Sequence, residues 1–124
     1  MLPYLQARLR SFRYAFRGIW FFVRDTPHAR VHLLAIVVLA ALGLYLGLDA
    51  TEWCLIVICM ALVVVTEAVN SALENLTDLA SPGFHPLAGK AKDIAAGAVL
   101  LTVIFGGIVW GIIFLPKLYR LFFT

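Results

Sequence analysis

Charge is scarce in this chain. Only 14% of its 124 residues are Asp, Glu, Lys or Arg, against about 25% in an ordinary soluble domain. Hydrophobic residues make up 63%, and mean hydropathy is +0.96. That balance excludes a soluble catalytic domain and a disordered chain. At about 20 apolar residues per crossing, the length holds roughly three membrane helices with little left over. Cysteine is equally sparse. Cys54 and Cys59 lie five apart inside an apolar run, which is neither a metal nor a redox spacing and reads as packing. There is no GxxxxGK[ST] and no GxGxxG, so the common soluble nucleotide-binding folds are excluded. No short apolar core with a small-residue cleavage site follows the N-terminus, so a cleaved signal peptide is not expected.

The few charges are placed unevenly. Arg8, Arg10, Arg13, Arg17, Arg24 and Arg30 all precede the first long apolar run. Beside membrane spans this excess reads as cytoplasmic and phospholipid-facing, and no nucleic-acid partner is expected. Residues 5–24 have helical periodicity. At 100° per residue, Arg10, Arg13, Arg17 and Arg24 fall within about 60° of one another. Leu5, Leu9, Phe12, Phe16, Ile19, Phe22 and Val23 take the other side, with Arg8 left to snorkel among them. This is the pattern of a helix lying in the membrane interface.

Asp25-Thr26-Pro27 breaks that helix. An uncharged run over 31–48 predicts the first span, and Gly47, Asp49 and Thr51 mark a turn. A second helix is expected over 53–80, ended by Ser81-Pro82-Gly83. A third is expected over 87–115, with Lys117 and Arg120 beyond it. The fold class is therefore an all-α membrane protein, one unit over 1–124, with an interfacial helix and three spans. The arginines place the N-terminus in the cytoplasm, the 47–52 turn outside and the 81–85 loop back in the cytoplasm. Trp20, Trp53 and Trp110 fit interface belts or packing, and His28 and His32 read as interface residues.

The second span carries acids. Glu67, Asn70, Glu74 and Asp78 are spaced three, four and four apart. Their angles are about 0°, −60°, −20° and +20°, so they form one stripe. Glu67 lies about 22 Å along the helix from Glu52, inside a hydrocarbon core of about 30 Å. A carboxylate there costs about 2.5–3.5 kcal/mol on insertion scales and marks a functional site by default. It is a candidate proton acceptor, and the shallower acids suit a divalent cation that keeps waters and phosphates. Lys90, Lys92 and Asp93 open the third helix at the same depth, with His85 in the loop above. Lysines and the free amides of a helix N-terminus make a phosphate site. Together these residues point to phosphoryl transfer at the membrane surface. A polar seam between helices, or a proton or cation path through the bilayer, are the competing readings. The second is disfavoured because acids and lysines gather near one face.

The run Glu67-Ala-Val-Asn70-Ser-Ala-Leu-Glu74-Asn-Leu-Thr-Asp78, followed by His85-Pro-Leu-Ala-Gly-Lys-Ala-Lys92-Asp93, resembles the prokaryotic integral-membrane diacylglycerol kinases and their undecaprenol kinase relatives. The likeness covers nearly the whole chain. It implies a homotrimer with shared active sites that uses ATP and Mg²⁺ to phosphorylate a lipid hydroxyl at the cytoplasmic face of the bacterial inner membrane. It implies Glu67 as general base and Glu74 as metal ligand. Asn70 and Arg30 are implied as substrate contacts beside Glu67, and Asp78, His85, Gly89, Lys92 and Asp93 join Glu74 around the nucleotide. One departure stands out. Where the family commonly has a Glu four residues before Arg30, serving as a second metal ligand, this chain has Thr26. Asp25 is a candidate substitute, and a non-catalytic member is the alternative. Ser81-Pro82, His85-Pro86-Leu87-Ala88, Ala95-Ala96-Gly97-Ala98-Val99 and Phe114-Leu115-Pro116-Lys117-Leu118 look more like the undecaprenol branch than the diacylglycerol branch. Gly107 and Gly111 form a GxxxG compatible with close helix contact.

Overall fold

The computed structural model describes residues 2–123, in four helices: α1 (Leu2–Asp25), α2 (Pro27–Tyr45), α3 (Ala50–Ala80) and α4 (Pro86–Phe123). Helices α2, α3 and α4 are each long and apolar enough to cross a bilayer. The all-α membrane architecture with an N-terminal amphipathic helix is as expected from the sequence.

Helix α1 stands largely clear of the rest. Leu9, Phe12, Phe16 and Ile19 on its apolar side remain 59–70% exposed. Among its described side chains only Phe22 and Val23, near its end, are partly covered. An apolar face left open beside a basic one suits the bilayer interface. Leu5, assigned to the same face, has its side chain outside the described residues. The arginines lean on rings of their own helix. Arg8 lies 5.0 Å over Tyr4, Arg17 5.1 Å over Tyr14 and Arg24 5.2 Å over Phe21. Arg8 also donates to the Tyr4 hydroxyl at 3.0 and 2.7 Å, which anchors its charge on the apolar side.

Helix α2 begins four residues earlier than the uncharged run and ends three residues sooner. Thr26 alone separates it from α1, because Pro27 at the first helical position needs no amide donor. At the far end the Leu46 amide bonds Leu42, Gly47 bonds Leu44 and Leu48 bonds Gly43. This last pair of bonds is a Schellman closure, and it requires a left-handed residue. Gly47 supplies it, with φ of 64°. Helix α3 then starts at Ala50, three residues before the expected start. Asp49 accepts from the Glu52 amide and the Glu52 side chain accepts from the Asp49 amide, both at 2.9 Å, a capping box.

Helix α4 does not stop before Pro116 but runs through it to Phe123. Proline inside a membrane helix is tolerated where neighbouring groups hold the turn. Here the Lys117 ammonium pairs with Glu52 of α3 at 2.9 Å, and Leu118 packs on the core. That core gathers at the Gly47 end of the bundle: Leu48, Ile56, Ile113 and fully buried Phe114, with Trp53 and Trp110 against them. Trp110 stacks on Phe114 at 5.2 Å. Gly43 lets α2 approach, since a Cβ there would sit 2.9 Å from the Trp53 ring. Helices α3 and α4 form the main packed pair, and α2 lies more loosely against α3.

Candidate active site

The acid stripe of α3 faces inward at its deep end and opens toward the Ser81–His85 loop. Glu67 is 4% exposed and Asn70 8%, the only buried polar side chains among the described residues. One turn nearer the loop, Asn70 Nδ2 donates to Glu74 Oε1 at 3.2 Å. The Asn70 amide oxygen is buried and has no hydrogen-bond donor. A buried acceptor without a partner costs about 1–3 kcal/mol; the Trp110 indole N–H, in the core, is the other such group among the described residues. Glu74 is exposed, with one carboxylate oxygen on Asn70 and the other free to bind. Thr66 and Thr102, one turn deeper, bring their hydroxyls to 3.3 Å between α3 and α4.

Asp78 and Lys92 join the two helices at the loop end, at 2.5 Å. A cavity of about 200 Å³ opens there, lined by Thr77, Asp78, Ser81, Pro82, Gly83, Phe84, His85, Ala88, Gly89 and Lys92. The expected nucleotide residues Asp78, His85, Gly89 and Lys92 thus share one space. His85 Nδ1 accepts from the Leu87 amide at 3.2 Å and so caps α4. A Cβ at Gly89 would meet nothing within 4 Å, which leaves that wall open. Asp93 is exposed one residue beyond Lys92. Phe84, 96% exposed, also lines the cavity. In the sequence its place between the two halves of the motif is its one distinguishing mark.

Arg30 and Asp25 are engaged elsewhere. Arg30 donates to the Arg24 carbonyl at 2.6 Å and to the Val23 carbonyl at 3.4 Å, closing the end of α1. Asp25 takes both nitrogens of Arg24, at 2.6 and 3.0 Å. That hydrogen bond holds its carboxyl below the ordinary 3.8, with the charges of Arg24 and Arg30 adding to the effect. Among the described residues no three of His, Cys, Asp and Glu come together as a ready-made metal cage. Thr26, at the position where the resemblance leads one to expect Glu, donates its hydroxyl to Ser71 of α3 at 3.2 Å. A second cavity of about 240 Å³ lies among the spans. It is apolar, with walls that include Ile36, Ile56, Val63 and Gly106. His32, expected at the interface, lines it.

A buried carboxylate, an unpartnered amide oxygen and a lysine-lined cavity at one end of three spans define an integral-membrane enzyme. Comparison with known proteins gives the particular kind. Residues 13–114 match the prokaryotic diacylglycerol kinase family. The undecaprenol kinase of Bacillus subtilis is 37% identical over 109 residues, covering 88% of this chain and 89% of that protein. The diacylglycerol kinase of Helicobacter pylori is 32% identical over 114 residues, covering 84% and 87%. That of Synechocystis is 38% identical over 114 residues, covering 91% and 65%. This chain belongs to the prokaryotic diacylglycerol kinase family. It is a lipid kinase, and a kinase of this family uses ATP.

Proposed function

We propose that this chain transfers the γ-phosphate of ATP to the hydroxyl of undecaprenol, at the cytoplasmic face of the bacterial inner membrane. The observation that carries the reading is Glu67, a carboxylate buried within a span and aligned with Asn70, Glu74 and Asp78. Residues 1–124 act as one unit. Glu67 takes the proton of the lipid hydroxyl as the oxygen attacks the γ-phosphorus, the bond from that phosphorus to the β–γ bridging oxygen breaks, and ADP leaves. A positioned base of this kind contributes about 10²–10⁴-fold. The free Asn70 amide oxygen accepts from a water beside the hydroxyl, whose own proton is left to Glu67. Lys92 exchanges its pairing with Asp78 for the nucleotide phosphates and offsets the charge that grows on them. Asp78, His85, Gly89 and Asp93 shape the nucleotide space around it. Arg30 serves the substrate by holding the end of α1 beside it.

Magnesium suits the donor set. Mg²⁺ usually takes one or two protein carboxylates and completes its shell with phosphates and water, and Glu74 has a free oxygen beside Asn70. Glu74 would hold the ion, which would supply positive charge to offset that of the nucleotide phosphates; Asp25, bound to Arg24, would have to leave that partner to assist. Six arginines before the first uncharged run, five of them ahead of α2, support a cytoplasmic N-terminus and active site. The chain works as a homotrimer with shared sites. Gly107, where an added Cβ would meet nothing within 4 Å, leaves room on α4 for a neighbouring helix.

Undecaprenol is favoured over diacylglycerol by the Ser81–Ala88 and Ala95–Val99 segments. The test is a kinase assay in mixed micelles offering both lipids side by side with ATP. Faster phosphate transfer to undecaprenol is expected. Faster transfer to diacylglycerol would reassign the substrate, and transfer to neither would overturn the kinase reading for this chain.

A further inference from the structure

Helices α3 and α4 run antiparallel, and among the described residues three polar links join them. Asp78 pairs with Lys92 at the cavity, and Glu52 pairs with Lys117 at the far end. The third link is inside the spans, where the half-buried Thr66 and Thr102 bring their oxygens to 3.3 Å. At 1.5 Å per residue it stands about 18 Å along α3 from Asp78 and about 21 Å from Glu52. The rest of the seam is apolar. Ala95, Val99, Thr102 and Gly106 recur at spacings of four, three and four on one face of α4, and the first two are buried. A Cβ at Gly106 would sit 3.7 Å from the Cys59 Cβ. In lipid no hydrophobic force holds helices together, so packing and interhelical hydrogen bonds set how one is rotated against the other. Each hydroxyl is also tied to its own helix. Thr102 donates to the Val99 carbonyl at 2.7 Å and Thr66 to the Leu62 carbonyl. With one proton apiece, one of the two shares its proton between that carbonyl and the facing oxygen. These ties keep both oxygens on the seam.

We infer that Thr66 and Thr102 are a positioning pair that sets the rotation of α3 and thereby the aim of Glu67. The inference rests on the reading of Glu67 as proton acceptor. Glu67 follows Thr66 directly, so its side chain leaves the helix about 100° round from the contact. Side chains reach about 5–6 Å from a helix axis, so a rotation of about 10° carries the carboxylate about 1 Å. A misplacement of that size can cost about a hundredfold in rate. The nucleotide cavity begins at Thr77, about 17 Å further along the helix, and its walls stay in place. An aim that matters only as the proton moves is lost from kcat and not from either KM.

The experiment is steady-state kinetics in mixed micelles, with whichever of undecaprenol and diacylglycerol the wild type phosphorylates faster. The variants are Thr66→Val, Thr102→Val, Thr102→Ser, the Thr66→Val/Thr102→Val pair, and Glu67→Gln with and without Thr102→Val. Valine keeps the branched shape of threonine without the hydroxyl. Thr102→Val is expected to lower kcat about tenfold, part of the cost of a 1 Å misplacement, with both KM values unchanged. Thr66→Val should match it, the double valine variant should be no worse than either, and Thr102→Ser should restore the wild-type rate. In the Glu67→Gln background Thr102→Val should cost nothing further, because the base it aims is already gone. A second readout is independent of turnover. Dicyclohexylcarbodiimide, an apolar reagent that couples to carboxyl groups, is applied and the labelling of Glu67 followed by peptide mass spectrometry. Rotation out of its buried setting should speed that labelling in Thr102→Val, and Thr102→Ser should return it to the wild-type rate. An unchanged kcat in Thr102→Val, a loss carried by a KM, failure of serine to restore, a repeated loss in the Glu67→Gln background, or unchanged labelling would each overturn the pair. A wild type inactive on both lipids would overturn the kinase reading, and the labelling rates would then decide the pair by themselves. Each variant is also melted in detergent. A Thr102→Val protein that loses its fold together with its rate would make the contact structural and overturn the pair.

Discussion

Replacing Glu67 by Gln changes one atom in a site that is 4% exposed. Shape and volume are kept, so the bundle has no cavity to close. Two effects follow, in opposite directions. The variant loses its proton acceptor, and a positioned base contributes about 10²–10⁴ in rate. At 1.36 kcal/mol per tenfold, that is about 2.7–5.4 kcal/mol of transition-state stabilisation. Stability moves the other way. A carboxylate within a span carries an insertion cost of about 2.5–3.5 kcal/mol, and Glu67 is buried in one. The neutral amide carries less of that cost, so the melting temperature in detergent is expected to hold or rise while kcat falls at least a hundredfold. The assay pairs initial rates at saturating ATP and lipid with thermal unfolding of the same sample. A Glu67→Gln variant with full kcat would remove the base assignment. A variant losing activity and stability together would make Glu67 a structural residue.

Other outcomes are as specific. Lys92→Ala should raise the ATP KM at least tenfold and lower kcat, read in the same kinase assay, because it removes the cavity's ammonium and strands Asp78. Phe114→Ala empties the fully buried centre of the core and should cost about 3–5 kcal/mol in denaturant-induced unfolding. Gly43→Val should destabilise by about 1–3 kcal/mol, seen as earlier melting, since even a Cβ there would crowd Trp53 at 2.9 Å. Asp25 has a depressed pKa, so its pairing with Arg24 is complete above the unfolded value of about 3.9. The pairing is lost only as pH falls through the lower folded value. An NMR titration should find the Asp25 midpoint below 3.8 and moving upward in Arg24→Gln.

The acids were legible because helical periodicity alone puts residues 67, 70, 74 and 78 on one stripe. The spans were legible as uncharged runs, but their ends were not. Charge-free sequence and helix are different things: α2 takes His28 and Arg30 into its first turns, and it stops early because the Gly47 closure uses the carbonyls of Gly43 and Leu44. Pro116 suggested a helix end that the Lys117–Glu52 pair overrides. Asp78 and Lys92 could be placed at one depth, though not recognised as bonded partners. The Thr26–Ser71 contact left no trace at all, since two hydroxyl residues 45 apart make no pattern. Arg30 and Asp25 stood out by charge, while their local partners, the α1 carbonyls and Arg24, emerge only from the folded elbow.

The core built on Phe114 lies at the Gly47 end, a membrane's thickness away from the cavity at Ser81–His85. Folding and chemistry therefore draw on different parts of the chain. The end that holds the bundle together is insulated from the end that meets ATP. Residues around the loop are free to drift toward a new lipid or nucleotide without loosening the bundle, so a scaffold of this kind can change substrates while it stays folded.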